Sequence, residues 1–293
     1  IQQKYIGLAK NIEGFRALYR CVIAQSVARS GGGGDMRVNW HNHKFLFHDG
    51  YGRLGLGFVR ALLQAGHEVY PFTDEDLAMP AWYQMARGLN FDKVTVQLCP
   101  PHNMFALPGR SVGFSMHESL RLPRGWAQMV NERCQWFLVP SPWLLDLFGE
   151  AGVKVPMAVV PGGVEVEECP ILPRNRHRPF TFGALGDRGG RKGHDEVYFA
   201  FWKAFGANNR DVRLLIKCRP GSMPRLDFSY SSDDRVTIWR ADVDHVSDIY
   251  AQMDAFMFPS KCEGYGMPPR EAAACGISTF VQRFSGTADD CDK

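Results

Sequence analysis

Apolar residues at the start of the chain recur with helical period. Ile1, Tyr5, Leu8, Ile12, Phe15, Tyr19 and Val22 are spaced alternately by four and three, which lines them along one stripe of a helix. The pattern predicts a helix over residues 1–30. Gly31 to Gly34 interrupt it, and four consecutive glycines make a flexible joint. From Met36 the rhythm changes to short apolar runs alternating with amphipathic stretches. Strands are expected at residues 36–42, 67–72, 94–98, 112–116, 136–140 and 157–161, with helices at 53–65, 123–134 and 142–150. Residues 162–178 collect Gly, Pro and charge and read as a linker. A second alternation follows, with strands at 180–185, 212–217, 236–239, 255–258 and 278–282 and helices at 194–205, 246–253 and 268–275. Strands alternating with helices indicate parallel, doubly wound sheets. The expected organisation is an appended amphipathic helix (1–30), a glycine linker (31–35), an N-terminal Rossmann-like domain (36–165) and a C-terminal one (179–293).

Composition narrows the class. A length of 293 residues suggests two domains, each able to bury a core. No apolar run approaches the roughly 20 residues that span a bilayer, and the first residues lack the pattern of a signal peptide. Eight cysteines are scattered without a C-x-x-C pair, which reads as reduced thiols of a cytoplasmic enzyme. The net charge is +3, yet residues 1–30 hold five cations against Glu13 alone. The rest of the chain is therefore slightly acidic, and a nucleic-acid-binding body is not indicated. Residues 1–30 are expected to dock on the chain's own surface; self-association or a peripheral membrane contact is the alternative. Met36 resembles a natural start, so the leading segment reads as a fusion, a permuted element or a natural extension.

The chemistry concentrates in two stretches. In Glu263-Gly264-Tyr265-Gly266-Met267-Pro268-Pro269-Arg270-Glu271 two carboxylates lie eight positions apart. The first falls on a Gly-rich turn and the second inside the helix that follows. Free amides of Gly264 to Met267 at a helix start can hold a diphosphate. Glu271 can accept from ribose hydroxyls, and Glu263 can reach a sugar. The second stretch is Gly186-Asp187-Arg188-Gly189-Gly190-Arg191-Lys192-Gly193, a Gly-rich loop whose cations can neutralise a diphosphate; an exposed basic turn is the plainer reading. A third run, Gly50-Tyr51-Gly52-Arg53-Leu54-Gly55, matches G-x-G-x-x-G with Asp74 beyond the next strand. On paper that is a dinucleotide fingerprint, although the glycines do not turn directly off the strand. His117 and Glu118 end a strand, where ligands bind in open α/β sheets. His48 and Asp49 precede the glycines and can orient an acceptor hydroxyl.

The stretch from Ile249 to Ser260, followed by Glu-Gly-Tyr-Gly and the two glutamates, resembles the donor-binding half of retaining glycosyltransferases with two Rossmann-like domains facing a cleft, the GT-B fold of family 4. The resemblance runs from Met36 to about residue 290 and is strongest over 183–290. It implies transfer of a hexose from a nucleoside-diphosphate sugar to an acceptor hydroxyl with retained configuration. Lys192 matches the family's Arg-Lys-Gly motif. Arg188 is the closer match for the partner arginine, with Arg191 in reserve, because Asp187 occupies the family's usual arginine position. Glu271 would bind ribose, Glu263 the sugar, and Gly52 would donate its amide at the cleft. His117 would contact the transferred sugar or carry a proton, or simply pack.

The resemblance also implies that no metal or other cofactor is needed, since the basic clamp and helix dipole can replace magnesium. It implies a closing helix beyond the last strand. The sequence stops before one, so a shortened C-terminus is expected, with residues 1–30 standing in for it as in a circular permutation. The donor base and the acceptor (saccharide, lipid-linked glycan or protein) stay open. Two other readings stand beside this one: an NAD-dependent oxidoreductase using Gly50, Gly52, Gly55 and Asp74, and a non-catalytic sugar-nucleotide-binding scaffold.

Overall fold

The computed structural model describes residues 36–45, 50–173, 179–187, 190–220 and 233–290. The expected leading helix, the glycine linker, His48, Asp49 and Arg188 lie outside these residues. The chain divides between Gly163 and Val164 into two compact units.

The first unit runs β1 (Arg37–Asn42), α1 (Gly50–Gln64), β2 (Glu68–Phe72), α2 (Asp74–Ala78), α3 (Ala81–Ala86), β3 (Val94–Leu98), β4 (Arg110–Phe114), α4 (Trp126–Arg133), β5 (Trp136–Val139), α5 (Pro142–Glu150) and β6 (Met157–Val159). Its sheet is ordered β2-β1-β3-β4-β5-β6, and every pairing is parallel. Strands covered on both faces read as near-continuous apolar runs, as β5 does with Trp136-Phe137-Leu138-Val139. Trp40 of β1 stacks on Phe58 of α1 with ring centroids 5.6 Å apart, and Phe58 meets Phe114 of β4 edge-on at 5.4 Å. Rings of this size contribute about 1.5–3 kcal/mol each when fully buried. Ser141 caps α5 by accepting from the Leu144 amide, with Pro142 at the first helical position.

The second unit runs β7 (Phe180–Leu185), α6 (His194–Phe205), β8 (Val212–Lys217), β9 (Val236–Trp239), α7 (Val246–Tyr250), β10 (Ala255–Phe258), α8 (Met267–Ala274) and β11 (Ser278–Val281). Its sheet is ordered β11-β10-β7-β8-β9, again all parallel. Tyr250, Phe256, Phe258, Ala272 and Cys275 form the core under α8, and Val164 and Leu172 pack against it.

Differences from expectation are local. β4 starts at Arg110, because backbone pairing with Val94 of β3 begins there although the residue is exposed. Gly125, at φ 86°, delays the start of α4 to Trp126. α2 and α3 have five and six residues, too short to show an apolar period.

Each sheet has a point where the strand order reverses. In the first unit it lies between β1 and β3, and in the second between β7 and β10. Open α/β sheets bind ligands at the carboxyl ends of the strands beside such a point.

Candidate functional site

The loops that leave β7 and β10 meet at the second unit's switch point. The β7 loop folds tightly. A Cβ on Gly186 (φ 151°) would come within 2.7 Å of Lys192 Cγ, and one on Gly193 (φ 71°) within 2.6 Å of the Pro259 carbonyl oxygen. Only glycine fits both positions. The loops are then stitched together: the Lys261 amide donates to the Arg191 carbonyl at 2.7 Å, and Arg191 Nη1 donates to the Cys262 carbonyl at 2.7 Å.

Glu263 is the centre of this arrangement. Its residue is 4% exposed, and its Oε1 accepts from three groups: Ser260 Oγ at 2.6 Å, Lys192 Nζ at 2.6 Å and Arg191 Nη1 at 2.8 Å. A carboxylate taken out of water is tolerable only with such partners. Its amide donates to Ser285 Oγ at 2.9 Å, and its carbonyl accepts from the Gly286 amide at 2.8 Å. Lys192 Nζ also lies 5.1 Å from the ring centroid of Phe258 on β10.

Gly266, at φ 78°, is the residue before α8. Pro268 and Pro269 then occupy the first helical turn, where missing N–H groups cost little. Tyr265 is buried, with the Arg270 guanidinium 3.6 Å from its ring centroid. Glu271, on the same helix, is also buried; its Oε2 lies 2.9 Å from the Tyr250 hydroxyl, which lies 3.0 Å from the Pro268 carbonyl.

The structure thus brings Glu263, Arg191 and Lys192 into direct contact. It places Gly264, Tyr265, Gly266 and Met267 on the adjoining turn and Glu271 one layer deeper, against α7. Sequence reasoning missed Ser260 and Ser285. The Pro259-Ser260 pair three residues before Glu263 was the signal for the first; nothing local marks the second. It also missed His194, which opens α6 beside Lys192, is 4% exposed and, among the described residues, finds no hydrogen-bond partner for either ring nitrogen. Burial and the nearby Lys192 charge push its pKa below the ordinary imidazole range.

The first unit holds the remaining expected residues. His117 Nε2 donates to the Arg121 carbonyl at 2.9 Å and its ring meets Trp126 edge-on at 5.0 Å, so in the neutral ring Nδ1 is the lone-pair nitrogen. Glu118 is exposed. Gly52 is buried in the first turn of α1. The expected glycine loop is therefore a helix. Gly55 lies where a Cβ would come within 2.3 Å of Asn42 Oδ1, so that glycine allows α1 to pack on the end of β1. Asp74, which a dinucleotide reading would turn to a ribose, instead has one carboxylate oxygen on His41 and the other on His43.

Among the described residues, no group of three or more His, Cys, Asp or Glu could hold a metal ion, and no helix is long and apolar enough to cross a membrane.

Residues 177–291 match the family model described as glycosyl transferases group 1. Among curated proteins none matches the chain. Solved structures do. Anabaena HepE in complex with UDP-glucose superposes with a TM-score of 0.62 at 13% identity, covering 86% of this chain and 82% of that one. A UDP-forming α,α-trehalose-phosphate synthase from Burkholderia xenovorans gives 0.60 at 10%, covering 87% and 86%. A trehalose-6-phosphate protein from E. coli, bound with UDP-2-fluoro glucose, gives 0.59 at 11%, covering 86% of each chain. At these identities the likeness establishes the fold. Residues 177–291 thus carry the signature of the group 1 glycosyl transferases, and the two parallel sheets have the GT-B fold of these structures.

Proposed function

We propose that the chain transfers a hexose from a nucleoside-diphosphate sugar to an acceptor hydroxyl with retention of configuration. The observation that supports this most is the shared contact of Arg191 and Lys192 with the buried Glu263 at the switch point of the second unit. In this reading the two cations, with amides of the Gly264–Met267 turn, hold the diphosphate and stabilise the charge that develops as it leaves. Arg188 belongs to the same loop and contributes to the clamp. Glu263 sets the position of both cations and meets the sugar hydroxyls. Glu271 takes the ribose. The leaving phosphate accepts the proton from the attacking hydroxyl, so no side-chain nucleophile is required and no metal ion enters. The carboxyl edge of the first unit, with His117, Gly52, Asp49 and Glu118, takes the acceptor.

Uridine is the base to test first, because HepE and the E. coli protein were solved with UDP-sugars and the Burkholderia synthase is UDP-forming. The scattered cysteines, without a C-x-x-C pair, support a cytoplasmic setting in this reading, with residues 1–30 offering a membrane-surface or self-association contact.

Thermal unfolding with UDP, GDP, ADP and NADH, for the parent and Lys192→Ala, tests the reading. A diphosphate at about 100 times its dissociation constant adds roughly 2.7 kcal/mol to the folded state. The expected result is stabilisation by UDP that survives EDTA and is lost in the variant. Stabilisation by NADH alone overturns the reading. Release of UDP from UDP-glucose in the absence of acceptor then separates an enzyme from a scaffold.

A further inference from the structure

The carboxyl edge of the first sheet holds a chain of hydrogen bonds that the donor site does not use. His41, on β1, is fully buried; its Nε2 lies 2.7 Å from Asp74 Oδ1, and its ring stacks on Phe72 at 5.0 Å and meets Phe105 edge-on at 5.4 Å. Asp74 opens α2 directly after β2. Its second oxygen, Oδ2, bonds His43 Nδ1. Cys99, just past β3, sets its Sγ 3.8 Å from His41 Nδ1. His41, His43 and Cys99 lie on or just past β1 and β3, where the strand order reverses, and Asp74 joins them from the end of the neighbouring β2; open α/β sheets take ligands at such a position.

The protons in this chain follow from the acceptors. An ionised carboxylate can only accept, so His41 carries its hydrogen on Nε2 and His43 on Nδ1. His41 Nδ1 then takes the Cys99 thiol hydrogen. Burial pushes that thiol pKa well up and the His41 pKa down, which keeps the inner end of the chain neutral. The outer end is different. The His43 side chain is 45% exposed; with Nδ1 on Asp74, the neutral form of the ring carries its lone pair on Nε2.

What this end can bind is limited. Each Asp74 oxygen already accepts from a histidine ring, and the exposed end of the pair is an imidazole nitrogen, not a carboxylate oxygen. An anion meets a carboxylate whose side chain is 30% exposed. A lone-pair nitrogen held in a fixed orientation matches a hydroxyl donor. We propose that His43 Nε2 binds a hydroxyl group of the acceptor, a saccharide or other polyol, with Asp74 and His41 as the residues that position it. This rests on the transferase reading above and adds to it a named acceptor contact.

Histidine side-chain NMR on the whole chain tests it, using methyl α-glucoside, methyl α-mannoside and glycerol as probes. The expected result is a proton on His43 Nδ1 and a His43 resonance that moves with added probe. His43→Phe should bind the probes roughly five- to tenfold more weakly, the loss of one hydrogen bond. His43→Gln, which restores an acceptor oxygen, should recover most of that affinity, and both variants should melt as the parent does. A proton on His43 Nε2, or a resonance unmoved by all three probes, overturns the proposal. UDP stabilisation is measured in parallel. A His43 response without a UDP response removes the transferase reading and keeps the polyol site; the reverse keeps the transferase and removes the site.

Discussion

The Lys192 ammonium donates to Glu263 Oε1 over 2.6 Å, and Arg191 donates to the same oxygen over 2.8 Å. A lysine and an arginine on a glycine loop would ordinarily sample many rotamers, at a cost of up to about 2 kcal/mol each when a ligand orders them. Here the carboxylate has already ordered them. The glutamate also lowers the local charge, so the clamp is pre-positioned without being strongly cationic. Its geometry depends on a carboxylate that is largely withdrawn from water, since the Glu263 side chain is 5% exposed.

That arrangement predicts energetic coupling. In denaturant unfolding, Lys192→Met and Glu263→Gln together should cost less than the sum of the single changes, with a coupling of about 0.5–3 kcal/mol. The coupling should persist at high salt, because a buried pair is screened little. Strict additivity would show that the contact carries no energy and that Glu263 does not organise the clamp.

The glycines of the first unit predict a contrast. Gly55→Ala puts a methyl group 2.3 Å from Asn42 Oδ1, and Asn42 is held by Trp40 Nε1 at 2.7 Å and by the Tyr51 carbonyl at 3.0 Å. The expected loss is about 1–3 kcal/mol. Gly50→Ala meets nothing within 4 Å and should be neutral or slightly stabilising. NADH should stabilise neither the parent nor either variant. Equal costs at the two positions would return the run to its reading as a ligand loop.

Most strands and the long helices were legible because apolar period and burial coincide in them, as in Phe180–Leu185, Val212–Lys217 and Pro142–Glu150. Register was not legible at β4, whose first paired residue is an exposed arginine. Of the site, the spacing of Glu263 and Glu271 and the Arg191-Lys192-Gly193 run marked the right loops. What they could not show is that Glu263 faces the cations. That contact spans some seventy residues of sequence and is made only when β10 pairs with β7. The His41–Asp74–His43 chain was hidden for the same reason. Asp74 stood at a spacing that suits a ribose contact, and only the pairing of β2 with β1 turns it toward two histidines.

Ser285 gives a ranked prediction. It is the one non-glycine residue at positive φ among the described residues, at 56°, and its hydroxyl accepts the Glu263 amide at 2.9 Å. Ser285→Ala keeps the strained backbone and loses the bond, an expected cost of about 1–3 kcal/mol. Ser285→Gly loses the same bond but relieves roughly 1 kcal/mol of left-handed strain, so it should melt between the parent and the alanine variant. An alanine variant at least as stable as the glycine one would contradict this account.

His194 predicts a pH dependence. Its imidazole is buried without hydrogen-bond partners among the described residues, and its pKa in the folded chain lies below the ordinary 6.5. The unfolded chain therefore binds the proton more readily than the folded one. The stability tied to this histidine is complete above about pH 6.5 and is lost as pH falls toward the folded-state pKa, with a slope of at most about 1.4 kcal/mol per pH unit. His41, also depressed by burial though opposed by Asp74, adds to the same acid limb. His194→Leu exchanges the ring for an apolar group of similar size in a site that offers it no polar partner. The expected variant is as stable as the parent or more so near neutrality, and its stability falls less steeply between about pH 6.5 and 5. Denaturant titrations of both proteins across that range measure it. Parallel acid limbs would place the proton uptake elsewhere and leave His194 with a charged form that the fold tolerates.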